Sequence, residues 1–259
     1  MDTVLLVTWI LFIGASCGFL ATWLGIGGCF LRIPLMMLLL GLSIKTAYAV
    51  NMAVICIATL PGVISHYNMR HVYTRGTIVG AAGAIPGVLV GTQIAMYTPN
   101  EILKVIFGIA CIGVGIYMTT MAFKKKGATP PRVTLDQISG LSSGWKLGML
   151  MFLAGIATGL TGFGGGIYYM PILNALGYPM HIAIGTSSAQ MIPVTAVGAT
   201  NLTLHGFQDW YFVFWIGLVT LVFSWLGARA TKTMKAWVLR AIFGILIGII
   251  GIAVALGWI

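Results

Sequence analysis

Two glycine-rich motifs break long apolar stretches of the chain in the same way: Gly25-Ile26-Gly27-Gly28-Cys29 followed by Pro34, and Gly162-Phe163-Gly164-Gly165-Gly166 followed by Pro171. Where a helix restarts after such a break, its first N–H groups have no internal partner. The macrodipole places about half a positive charge there, which suits an anion. Glycine tolerates positive φ and lets an oxyanion reach the backbone. Gly25, Gly27, Gly28, Cys29, Gly162, Gly164, Gly165 and Gly166 are therefore candidate substrate-binding positions, with Pro34 and Pro171 as structural hinges. The same small residues would also serve close helix packing. Arg32 lies four residues past Gly28 in an apolar segment, where a guanidinium costs about 2.5–3.5 kcal/mol on insertion scales. It reads as a counter-ion for an oxyanion, or as a side chain that snorkels to the interface or pairs with a helix C-terminal carbonyl. Asn51, Thr186 and Ser187, with Ser188 and Gln190 nearby, are polar residues in apolar spans; Asn51 and Ser187 occupy corresponding positions. They can complete an anion's hydrogen bonds or act as interhelical glue.

The elements that hold these residues are set by composition. Of 259 residues, 59% are hydrophobic and only 7% charged, and mean hydropathy is +1.02, so there is too little polar material to cover a water-facing surface. Apolar stretches of membrane-spanning length recur at about 4–24, 46–65, 76–97, 101–123, 144–161, 182–204, 210–230 and 236–258. Two shorter ones, about 29–42 and 166–178, follow the glycine motifs. Asp2 rather than a basic stretch precedes the first segment, which is expected to remain as a helix. Cys17, Cys29, Cys56 and Cys111 show no CxxC spacing, which argues against a zinc site or a disulfide framework. The net charge of +10 is scattered between apolar spans, so it points to membrane topology rather than nucleic acid. No cofactor or metal site is expected.

Sliding the chain over itself by about 136 positions superposes Gly18 on Gly155, Pro34 on Pro171, Gly91 on Gly227 and Phe107-Gly108 on Phe243-Gly244, with one-residue gaps. The halves read as repeats: a first transmembrane unit at 1–123, a linker at 124–146, and a second unit at 147–259. If the short segments cross the bilayer, Arg70, Arg75, Lys124–Lys126, Arg132, Lys146, Arg229, Lys232 and Lys235 fall on one side, and only Lys45 and Lys104 clearly on the other. That is the usual asymmetry of short loops. The expected fold is an all-α integral membrane protein with an inverted repeat and about 10 membrane segments, two of them short and discontinuous. The alternative is 8 spans with re-entrant segments. The crossing arrangement puts the linker in the cytoplasm and both termini outside, in a multi-pass protein of the plasma (inner) membrane.

The motifs, the repeat and the length together resemble the sulfite exporter TauE/SafE family of membrane permeases. The resemblance covers nearly the whole chain and rests on Gly25-Ile26-Gly27-Gly28 with Pro34, on Gly162-Phe163-Gly164-Gly165-Gly166 with Pro171, and on Gly185-Thr186-Ser187. It implies export or exchange of a small sulfur-containing anion, among them sulfite and organosulfonates. One departure is visible: Cys29 stands where the pattern usually has a third glycine.

All four acidic residues, Asp2, Glu101, Asp136 and Asp209, lie at termini, loops or span ends, so no mid-membrane carboxylate relay is expected. The reading is a secondary transporter using alternating access at a glycine-lined midplane site. A metal-cation permease or an anion channel of the same architecture is the alternative, and no catalytic motif points to an enzyme. The expected partners are a small anionic substrate and the lipid bilayer, without nucleic acid; a homo-oligomer is left open. His66, His71, His181 and His205 fall near span ends, where an interfacial, solvated role is the default and a proton-linked one the alternative. Trp9, Trp145, Trp210 and Trp258 read as interface anchors.

Overall fold

A computed structural model describes residues 2–24, 29–124, 144–230 and 236–257. The described residues form helices and no strand. This is what a bilayer demands, because only internally hydrogen-bonded segments leave no backbone group facing hydrocarbon. In chain order the helices are α1 (Thr3–Leu24), α2 (Cys29–Leu40), α3 (Ile44–Ala58), α4 (Leu60–Asn68), α5 (Thr74–Tyr97), α6 (Asn100–Lys124), α7 (Gly144–Thr161), α8 (Gly166–Ala175), α9 (Met180–Leu204), α10 (Trp210–Ala230) and α11 (Ala236–Ala255). Among the described residues, five stretches are long and apolar enough to cross a membrane: 44–68, 74–97, 100–120, 144–161 and 180–204. Ile78, Ile109, Phe214 and Ile249 are among the large apolar side chains left exposed, the face such a protein turns to lipid.

The helix limits follow local chemistry. Ser43 caps α3, its hydroxyl accepting from Thr46 N at 3.2 Å. The expected single span at 46–65 is divided at Thr59, and Pro61 sits in the first turn of α4, where its missing N–H leaves nothing unsatisfied. The loop after α4 closes with His71 N on His66 O (2.9 Å) and Arg70 N on Tyr67 O (3.0 Å); the loop after α9 repeats it with Phe207 N on Leu202 O (3.1 Å) and Gly206 N on Thr203 O (2.9 Å). Both loops have the paired bonds of a Schellman closure. The left-handed residue is Gly206 in one (φ +79°) and Arg70 in the other (φ +56°).

Glycines bring the helices together in register. On α5 and α7, Gly83 meets Gly148, Gly87 meets Phe152 and Gly155, and Gly91 meets Ile156 and Gly159, so the two helices run parallel. α1 and α10 are also parallel, with Gly14 against Val219 and Gly18 against Thr220. α6 and α11 run antiparallel, with Gly108 on Gly251 and Gly115 on Gly244 and Gly248. α9 lies antiparallel to α3 and α4, placing Gly198 by Met52 and Gly185 by His66. Backbones this close gain dispersion and Cα–H···O contacts that lipid cannot replace.

These directions define two ends. The α4–α5 loop and the starts of α7 and α9 share one, called the histidine end after His66, His71 and His181. The starts of α1 and α3, the end of α5 and the α9–α10 loop share the other, called the lysine end after Lys45. Lys45 Nζ ties that end together, donating to Met96 O at 2.6 Å and standing 5.6 Å from the centroid of the Phe207 ring.

Candidate substrate site

The second glycine motif is a turn that only glycine can make. Gly162, Gly164 and Gly165 have φ of +69°, +74° and +86°, a region that costs other residues roughly 1–2 kcal/mol each. The turn is also walled in. A Cβ at Gly162 would lie 2.8 Å from the Tyr48 ring and 3.1 Å from Ile33 Cδ1; one at Gly164 would lie 2.5 Å from Ile55 Cδ1 and 3.4 Å from Thr195 Cγ2; one at Gly165 would run into the Tyr169 ring. Helices α2, α3, α8 and α9 therefore close around bare backbone. Gly165 starts α8, and its carbonyl accepts from Tyr169 N at 2.8 Å.

Arg32 reaches this turn from α2. The side chain is 1% exposed, and Nη1 donates to Asn51 Oδ1 at 2.9 Å while Asn51 Nδ2 donates to the Gly162 carbonyl at 2.7 Å. Asn51 thus bridges a cation of the N-terminal half to the glycine turn of the C-terminal half. Its amide is oriented by these two partners, an acceptor toward the guanidinium and a donor toward the carbonyl. Arg32 points into the protein rather than snorkelling out of it. Asn51 is the eighth residue of α3, which puts it about 10 Å from the lysine-end start of that helix.

Hydroxyls and rings surround the bridge. The Tyr48 hydroxyl is buried with no hydrogen-bond partner among the described residues, the kind of group that an ordered water or a ligand oxygen satisfies. Thr158 Oγ1 lies 3.3 Å from Tyr169 Oη, and Thr161 Oγ1 is 3.2 Å from Tyr168 Oη. Phe107 stacks between Tyr48 (5.9 Å) and Phe163 (5.0 Å). The arrangement offers a guanidinium, a polarised turn and hydroxyl donors in an apolar shell, which suits holding a small anion. No group of three His, Cys, Asp or Glu among the described residues is placed to hold a metal ion.

The other expected positions divide. Gly25, Gly27 and Gly28 lie outside the described residues, and Cys29 is the first residue of α2. Gly166 opens α8, and Pro34 and Pro171 lie within α2 and α8. Thr186 and Ser187 are not brought to Arg32. The Thr186 hydroxyl accepts from Tyr73 N (3.0 Å), and Ser187 donates to Ile184 O (3.0 Å). Gly185 packs by His66 and Gly198 by Met52, so these residues stand near the histidine end, roughly 20 Å along α9 from the level of Asn51. Gln190 donates to Gly76 O at 2.9 Å. Tyr48, Thr158, Thr161 and Tyr169 were not expected at the site. Thr158, Thr161 and Tyr169 carried a signal, as hydroxyls one turn from glycines in an apolar stretch, whereas Tyr48 has no glycine within a turn.

The sequence pattern of the family described as "Sulfite exporter TauE/SafE" matches residues 10–254. The chain belongs to the TauE/SafE family. Similar proteins, each named a "probable membrane transporter protein", occur in Methanocaldococcus jannaschii (24% identical, covering 97% of this chain and 96% of that protein) and in Haemophilus influenzae (26%, 93% and 95%). YdhB of Bacillus subtilis carries the same name (23%, 86% and 90%). No solved structure matches. This TauE/SafE protein is therefore a multi-pass membrane transporter, and the arginine–asparagine–glycine bridge is the feature of its interior with the chemistry to meet a charged solute.

Proposed function

We propose that the protein is a secondary transporter that exports or exchanges a small sulfur-containing anion, sulfite or an organosulfonate, by alternating access between two inverted halves, 1–123 and 147–259, joined by a cytoplasmic linker at 124–146. The buried Arg32–Asn51–Gly162 bridge carries this reading. A guanidinium presents a planar fork to two oxygens of a sulfonate or sulfite, as it does to phosphate, and Tyr48, whose ring packs against Gly162, adds a hydroxyl without a partner among the described residues. The binding positions are Arg32, Asn51 and the Gly162–Gly166 turn, with the first motif, Gly25 to Cys29, as the corresponding backbone. Thr186 and Ser187 belong to the path toward the histidine end, and Pro34 and Pro171 to the hinges.

Helix directions support the inversion. α5 parallels α7 and α1 parallels α10, so α1 runs toward the histidine end and its counterpart α7 away from it. α5 and α10, and α6 and α11, are opposed in the same manner. After α1 and α7 the chain must return through the glycine motif and a short helix, α2 or α8, before α3 or α9 begins, which supports five crossings per half. The histidine end bears Arg70, Arg75 and Lys146, and the positive-inside rule makes that end cytoplasmic and the termini external. An anion leaving an inside-negative cell gains about 2.3 kcal/mol per charge at 100 mV, so outward flow needs no further coupling. The fixed positive charge of Arg32 opposes a metal cation at the same place.

The reading is tested with purified protein in liposomes, measuring thermal shift and flux of sulfite, thiosulfate, sulfate, sulfoacetate, taurine and, as a cation control, nickel. Saturable flux and stabilisation with one sulfur oxyanion or sulfonate are expected. Response to nickel alone, or to none of the anions, would overturn the substrate class.

A further inference from the structure

Two histidines close in the chain, His66 and His71, meet a distant third, His181, at the histidine end. His66 is in the last turn of α4, His71 in the loop that follows and His181 in the first turn of α9. The His71 ring lies 5.9 Å from His66 and 4.9 Å from His181, centroid to centroid, the latter edge-on at 63°. This contact closes the first half onto α9. The Thr186 hydroxyl takes the Tyr73 N–H, and a Cβ at Gly185 would run into the His71 carbonyl, so Gly185 is what lets the loop lie flat. The Nδ1 atoms of His66 and His71 are buried without a hydrogen-bond partner among the described residues.

The surroundings disfavour added positive charge. Besides the three imidazoles, the packed elements bring Arg70 and Tyr73 from the loop, Arg75 from α5 and Tyr178 from the α8–α9 loop, and Lys146 starts α7 at the same end. The acidic side chains among the described residues, Asp2, Glu101 and Asp209, belong to the lysine end. Burial first, and His181 second, push the His71 imidazole below its ordinary value. A group depressed in the packed arrangement stabilises it fully above the ordinary histidine range, and that stabilisation is lost as pH falls through it.

The lysine end shows the same contact built from other residues. An offset of 136 carries Lys45 onto His181 and His71 onto Phe207, in loops with the same paired hydrogen bonds. There, Lys45 sits over the Phe207 ring, and the contact contains no imidazole.

We propose that His66, His71 and His181 form a proton-binding site that holds the histidine end closed when neutral and releases it when protonated, so that access from this end is proton-gated while the lysine end is not. The proposal concerns closure alone and stands whatever solute is carried. The test is amide hydrogen exchange of the full chain in lipid nanodiscs, at about pH 7.5 and about pH 5.5, either side of the ordinary histidine value, corrected for the intrinsic rate. Protection across 66–73 and 180–186 should fall several-fold on acidification, the direction that follows when the packed form depresses an imidazole. Protection across 202–209 should change less than about two-fold. His71→Phe, which installs the counterpart's residue, should remove the pH response, as should His181→Gln. A wild-type chain whose 66–73 protection is flat across this window overturns the proposal, and so does a response that survives in either variant.

Discussion

Positions 32 and 169 are counterparts in the two halves, each three residues into the short helix after a glycine motif, and each is buried: Arg32 at 1% and Tyr169 at 0% exposure. Arg32 crosses to the other half, through Asn51, to hold the Gly162 carbonyl. Tyr169 stays within its own half, packed under Gly165 and near the Thr158 hydroxyl. The position in the short helix corresponds and the side chain does not: one carries a guanidinium and the other a phenol. The two ends differ in the same way, with a pair of imidazoles in contact where the other end has a lysine over a phenylalanine.

The largest expected effect breaks the turn itself. Gly165→Val combines a φ of +86° with a collision against Tyr169 and should abolish flux while the protein still inserts, checked by transport and membrane yield together. Next, Arg32→Gln should weaken anion binding by roughly ten- to a hundred-fold, the worth of a charged hydrogen bond, whereas Tyr169→Phe should change it less than about three-fold, within the range of a neutral one; isothermal titration of both variants separates them. Equal losses would mean that the two positions share the work. Asn51→Leu should lower thermal stability by about 1–3 kcal/mol by stranding the partners on either side, while Asn51→Ser, the residue of the other half, should recover part of it. The smallest change is Arg70→Gly, which copies Gly206 into the left-handed position of the first loop. It should stabilise by up to about 1 kcal/mol, read as a rise in the unfolding midpoint with flux unchanged.

Much of the fold was legible because the bilayer leaves few choices. The expected segments at 144–161 and 210–230 coincide with α7 and α10, and 76–97 misses α5 by two residues. The division of the third span at Thr59 was not read, although Pro61 was there to signal it. Of the site, Arg32, Asn51 and the glycines were picked out by residue type, since a charge or amide in an apolar span is rare enough to notice. Thr186 and Ser187 were chosen by the same rule, and their level on α9 parts them from Arg32. The histidines were read one at a time as interfacial residues, because sequence spacing does not relate residue 71 to residue 181.

By itself the sequence indicated a helical membrane protein of the TauE/SafE family, its apolar runs broken by glycine motifs. Hydropathy, glycine and proline act locally, and apolar runs of spanning length have one stable form in lipid. Only the tertiary structure decided that Asn51 joins Arg32 to Gly162, that Tyr48 roofs the turn, and that three histidines meet at one end. The Asn51–Gly162, Tyr48–Gly162 and His71–His181 contacts join residues more than a hundred positions apart, and such pairings are selected by helix packing, in which shape and depth count and order along the chain does not.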